Sequence, residues 1–114
     1  LILGAVLAVF AVAVYASHTA PIRTAKAAAL ADAEACAEVG EPRKMVALCG
    51  RAIATGMLPD DVLVLTYSNR AFAYVNMELF ANALRDYGAA LRINSSDAVT
   101  YAGRAQVNNL MNNW

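Results

Sequence analysis

Apolar residues recur along this chain with helical spacing, and five stretches are separated by short breaks. "TAKAAALADAEACAEV" from Thr24 is built of strong helix formers. "GEP" interrupts it, because Gly40 suits a helix end and Pro42 suits the first turn of the next helix. "PRKMVALCGRAIATG" reads as a second helix, closed at Gly56. After the connector "MLPDD", with Asp60 or Asp61 as cap, "DVLVLTYSNRAFAYVN" is the third. A turn at Met77–Leu79 precedes a fourth, "FANALRDYGAALRI". "NSSD", with Ser95 or Ser96 as cap, precedes a fifth, "DAVTYAGRAQVNNLMNN". "VLVLTY" is the single β-branched run and lies in phase with a helix, so no strand is expected. The pattern predicts an all-α domain over residues 23–114, with about five antiparallel helices.

Residues 1–22 break this rhythm. "LILGAVLAVFAVAVYASHTAPI" holds no Asp, Glu, Lys or Arg and is apolar on every face. It is expected to be a single transmembrane anchor, since about 20 apolar residues cross the hydrocarbon core of a bilayer. The other reading is a signal peptide, with Val14 and Ala16 marking a cleavage site before Ser17. As a retained span, its Gly4, Ala8, Ala11 and Ala16 would form a small-residue flank for packing against neighbouring membrane helices. Tyr15 and His18, the sole histidine, suit the water–lipid boundary.

Composition narrows the function. Nine basic residues balance nine acidic ones and no basic block stands out, so no nucleic-acid partner is expected. No His neighbours a Ser or Cys, no Gly-rich phosphate loop occurs, and no metal-ligand spacing is present. The chain is therefore expected to be non-enzymatic, with no metal or cofactor. Arg85 and Asp86 are placed on a solvated face.

The chain also repeats itself. Thr66, Tyr67, Arg70 and Ala71 return 34 positions later as Thr100, Tyr101, Arg104 and Ala105. A helix–turn–helix unit of this period resembles the tetratricopeptide repeat (TPR). Residues 64–97 resemble one full repeat: Tyr67, Ala71 and Tyr74 fill its bulky and small slots on the first helix, and Ala83, Tyr87 and Ala90 those on the second. Arg70 departs from a common Leu, Glu78 from a frequent Gly and Ser95 from the usual Pro. Residues 98–114 resemble a partial repeat, with Asn108 in the place of Tyr74. Residues 26–59 align as a degenerate repeat, with Ala33 and Ala52 in small slots. The resemblance implies an α-solenoid whose Tyr74 and Tyr87 are core.

In the degenerate repeat Cys36 takes the place of Tyr74, and Cys49 that of Tyr87. On that alignment the two thiols face each other across the first hairpin, and a disulfide is favoured over two free buried cysteines. A disulfide implies an oxidising compartment, so the repeats are expected in the periplasm, on the outer side of a bacterial inner membrane.

The resemblance further implies a concave groove for a protein partner. The family's groove positions fall on Leu65, Ser68, Phe72, Val75 and Asn76, then on Val99, Ala102, Gln106, Asn109 and Leu110. This set is apolar and rich in amides, and it lacks the charged clamp with which some family members hold a peptide carboxylate. The expected function is a membrane-anchored scaffold or accessory subunit, partnered by integral membrane subunits of a larger complex and by the lipid bilayer. The alternatives are a secreted or periplasmic soluble binding module, or a factor for envelope or cytochrome assembly.

Overall fold

The computed structural model describes residues 21–112. Residues 1–20, which carry nearly all of the expected anchor or signal sequence, lie outside the described residues. Among the described residues no helix is long and apolar enough to cross a membrane.

Five helices and no strand make up the described chain: α1 through residues 21–38, α2 Pro42–Ala54, α3 Asp60–Asn76, α4 Phe80–Ile93 and α5 Ala98–Asn112. The fold is all-α. Helices adjacent in sequence pack together, α2 on α3, α3 on α4 and α4 on α5. Each buries a stripe at helical spacing. On α1 it is Ala29, Ala33 and Cys36, and on α2 it is Met45, Cys49 and Ala52. Those positions, at i, i+4 and i+7, are the ones that share a helix face.

The core is made of small side chains. The largest residues fully removed from solvent are Val107, Thr66, Thr100, Cys36 and Cys49. Ala52, Ala71, Ala73, Ala83 and Ala90 are also completely buried. Methyl-sized contacts let helix axes approach closely. Each one contributes only about 0.8 kcal/mol, against about 1.5–3 kcal/mol for a buried Leu or Phe. Polar and covalent links therefore carry unusual weight in this fold.

The turns follow their backbone chemistry. Gly40 (φ +70°) and Gly56 (φ +65°) take left-handed conformations after α1 and α2. The same conformation closes α3, but the residue there is Glu78 (φ +59°). Its N–H donates to Val75 O at 2.9 Å and the Leu79 N–H donates to Tyr74 O at 2.9 Å, the paired bonds of a Schellman motif. A side chain in that conformation is strained, which is why glycine is common there.

The helix starts differ from expectation in two places. Pro59 occupies the N-cap of α3, and Asp60 and Asp61 lie in its first turn without a side-chain capping bond. They face the positive end of the helix dipole instead. At α5 neither Ser95 nor Ser96 caps. Asp97 Oδ2 accepts the Thr100 N–H at 2.9 Å, while the Asn94 carboxamide closes the preceding turn by accepting from Ser96 N–H and Oγ.

Candidate protein-binding surface

Two internal links position the exposed faces. The first joins α1 to α2. Cys36 and Cys49, both fully buried, lie at disulfide distance, their Cα atoms 5.3 Å apart. Closing a 13-residue separation stabilises the hairpin by about 3 kcal/mol, mainly by restricting the unfolded chain. At the surface above it Arg51 donates to both Asp32 carboxylate oxygens. That hydrogen bond holds the Asp32 carboxyl below its ordinary value.

The second link joins α3 to α4 and corrects the placement of Asp86 on a solvated face. Asp86 is 3% exposed. It accepts two parallel bonds from Arg70, Nε to Oδ2 at 2.7 Å and Nη2 to Oδ1 at 2.8 Å. The Arg70 guanidinium stands 5.7 Å from the Tyr67 ring centroid and 6.0 Å from that of Tyr74. The Asp86 hydrogen bond pushes the Arg70 pKa up from an already high value. Two opposite charges therefore meet across the hairpin. The signal in the sequence was Arg70 itself, a cation in an apolar slot that needed an acid on the facing helix. Arg85, one residue earlier on α4, is exposed as expected.

Tyr87 is buried and packs with Ala71, Ala83 and Val107, and burial pushes its phenol pKa up. Tyr74, expected in the core, is only half-buried at the edge of that cluster. Gly103 makes this packing possible. A Cβ at that position would stand 2.6 Å from the Tyr87 ring, closer than real contacts allow. A further bridge runs from α3 to α5: Ser68 Oγ lies 2.8 Å from Thr100 Oγ1. The Thr100 hydroxyl donates to Asp97, so Ser68 donates to Thr100.

These links leave a band of apolar surface across α1, α3 and α5. Ser68, Phe72, Val99, Ala102 and Gln106 line one cleft of about 330 Å³, joined by Asn69, Tyr87 and Gly103. Leu65 lines a neighbouring cleft of about 480 Å³ with Leu30, Ala33, Glu34, Ala37, Val62, Thr66 and Asn69. Asn69 borders both. Leu65, Phe72 and Val99 are 61%, 53% and 73% exposed, large apolar groups left in water. Val75, expected in the groove, is instead half-buried against the Ala71–Ala83–Tyr87–Val107 cluster. Asn76 and Asn109 are exposed and line neither cleft. Leu110 is half-buried. Asn69 and the α1 wall of the second cleft were not among the expected groove residues; only the tertiary arrangement brings α1 to this band.

Among the described residues no group of three or more His, Cys, Asp or Glu is placed to hold a metal ion. No family model matches this chain, and neither a curated protein nor a solved structure does.

Proposed function

We propose that this chain is a non-catalytic tetratricopeptide-type scaffold that binds an apolar segment of a protein partner along the α1–α3–α5 band. The observation that carries the reading is the exposure of Leu65, Phe72 and Val99 on contiguous clefts rimmed by amides. Exposed apolar groups that form a patch, unlike scattered ones, mark interaction surfaces. Ser68, Asn69 and Gln106 add hydrogen-bonding groups that orient a bound segment without demanding charge. The 34-residue return of Thr66, Tyr67, Arg70 and Ala71 supports the repeat reading: Thr66 and Thr100 are both buried, as are Ala73 and Val107, also 34 apart.

In this reading residues 1–22 anchor the scaffold in a bacterial inner membrane beside integral membrane subunits. The Cys36–Cys49 pair favours the oxidising, periplasmic side. The test is purification of the full chain in mild detergent with identification of the subunits that co-migrate, in parallel with Phe72→Asp. Loss of those subunits from the variant, with helicity unchanged, supports the band; their full retention counts against it. Thiol labelling of unreduced, denatured protein that finds two reactive cysteines would count against the periplasmic placement. A soluble periplasmic binding module is the second reading, favoured by the small residues Val14 and Ala16 before Ser17. The N-terminal sequence of the mature protein separates the two.

A further inference from the structure

The clefts of the apolar band are charged on one sign only. A third cleft, of about 360 Å³, adjoins the Leu65 cleft at the start of α3, and Asp60, Asp61 and Asp97 line it. Leu65 borders both. With Glu34 of α1 the three clefts carry four carboxylates, and no Lys or Arg lines any of them. The chain as a whole has nine residues of each sign, so this face is anionic on a neutral molecule. Internal ion pairs do not account for these acids. Among the described residues the paired carboxylates are Asp32, Glu41 and Asp86, all away from the clefts. Asp60, Asp61 and Asp97 also serve the starts of α3 and α5. Glu34 has no such part, since it lies exposed within α1.

Ser68 adds to the same chemistry. Its hydroxyl proton is committed to Thr100, whose own proton goes to Asp97. On the cleft that it lines, Ser68 is therefore left with acceptor lone pairs alone. The band thus offers negative charge and acceptors beside its apolar groups.

We infer that the segment bound along this band is cationic: an apolar stretch of a partner protein, with Lys or Arg at the end that meets the start of α3. This rests on the band being a binding surface. Along α3 the order is Asp60 and Asp61, then Leu65, Ser68 and Phe72. Leu65 and Phe72 stand about 10 Å apart at 1.5 Å per residue, so a basic end followed by apolar side chains fits that order. Opposite charges across an interface steer the encounter and fix the direction in which a segment lies. Helices of this array pack on their sequence neighbours, so a further helix stacked on α5 would lengthen the array and leave the α1–α3 cleft open. Residues 1–20 do not match the band either, because they hold no Lys or Arg.

The test titrates the full chain, in mild detergent, against three fluorescent peptides read by anisotropy. All share a tail of alternating leucine and alanine, preceded by a pair of lysines, of glutamines or of glutamates. The lysine peptide is expected to bind saturably and about tenfold tighter than the glutamine one, because each exposed charge pair changes an equilibrium by a few-fold. The glutamate peptide should bind weakest. Asp60→Asn and Asp61→Asn together with Glu34→Gln should cut the preference for lysine to about twofold. Glu38→Gln removes an exposed carboxylate that lines none of the clefts and should leave the preference unchanged. All four positions are exposed, so the variants keep the fold, which circular dichroism checks. Absence of saturable binding overturns the inference, as does a lysine preference that survives the triple change. Equal affinity for the three peptides, with Phe72→Gln weakening all of them alike, overturns it while leaving the band standing. Binding indifferent to Phe72→Gln removes the band and the inference together. Self-association of the protein that the triple change abolishes would also overturn it, by giving the clefts to a second copy.

Discussion

The two hairpins, α1–α2 and α3–α4, solve one problem in different ways. Each must hold a pair of helices together across an interface of small residues. In the second hairpin Tyr74 and Tyr87 supply bulk, and Arg70–Asp86 supplies a desolvated polar lock. In the first, the slots that match on the proposed repeat alignment hold Cys36 and Cys49, and a covalent link stands there. On the proposed repeat alignment, an ion pair with its signs exchanged lies beside that link. Asp32 occupies the slot of Arg70, and its partner Arg51 sits about one turn beyond the slot of Asp86. This pair lies at the surface, whereas Arg70–Asp86 lies in the interior. The comparison teaches that once the hairpin is closed covalently, a charge pair beside it is free to sit in water, where it contributes little.

The comparison breaks hardest at Asp86. Asp86→Ala leaves Arg70 half-buried without its acceptor and is expected to destabilise the chain by about 3 kcal/mol. Asp32→Ala, in the first hairpin, should shift the denaturation midpoint far less. The double change Arg70→Leu with Asp86→Leu should recover most of the loss, because an apolar pair of similar volume replaces a buried ion pair at small cost. Urea unfolding followed by circular dichroism measures all three. A loss at Asp32 equal to that at Asp86 would remove the distinction between the hairpins.

Gly103→Ala probes how tightly the second hairpin meets α5. The added methyl enters the Tyr87 ring, and overpacking of this kind costs about 2 kcal/mol. Gly50, which fills the same slot of the first hairpin as Gly88 does of the second, has nothing nearer than 3.6 Å to an added Cβ, so Gly50→Ala should be tolerated. Glu78→Gly works in the opposite direction. Relieving the left-handed strain at φ +59° should stabilise the chain by about 1 kcal/mol, read as a higher melting temperature.

The smallest effects are those of pH. Burial raises the Tyr87 pKa above its ordinary value of 10.0. A raised folded-state pKa contributes stability that is present below pH 10.0 and lost as pH climbs through the higher folded value. The first hairpin holds no tyrosine, so alkaline unfolding should begin in the second, and Tyr87→Phe should flatten it. Asp32 behaves in the reverse sense. Its pKa is lowered by the Arg51 hydrogen bond, so its small contribution is present above the ordinary carboxylate range and fades as pH falls through the depressed value. A stability–pH curve of each variant checks both signs.

Much of this was legible in the sequence for identifiable reasons. Helix extents followed from the 3.6-residue apolar period and from Gly40, Pro42 and Gly56, whose backbone preferences are local. The facing cysteines became legible only through the repeat alignment. What the chain hid was non-local. Asp86 looks like any surface acid until the hairpin closes and Arg70 arrives beside it. Glu78 in a glycine conformation is invisible to propensity, and only the repeat alignment, which sets it where glycine is frequent, pointed there; the Schellman bonds impose the conformation. Asp97 displaced Ser95 and Ser96 as the cap, its Oδ2 accepting the Thr100 N–H, while Ser96 is bound to Asn94. Of the expected surface, Leu65, Ser68, Phe72, Val99, Ala102 and Gln106 lie on the two clefts. Val75 was drawn into the core, since a residue between two helices of the array serves packing before binding.

The first hairpin depends on its covalent link, while the second holds itself. Amide hydrogen exchange of the full chain, with and without reductant and resolved by helix, tests this directly. The predicted result is that reduction strips protection from α1 and α2 while α3 and α4 keep theirs. Equal loss across all four helices, or none in any, would contradict it.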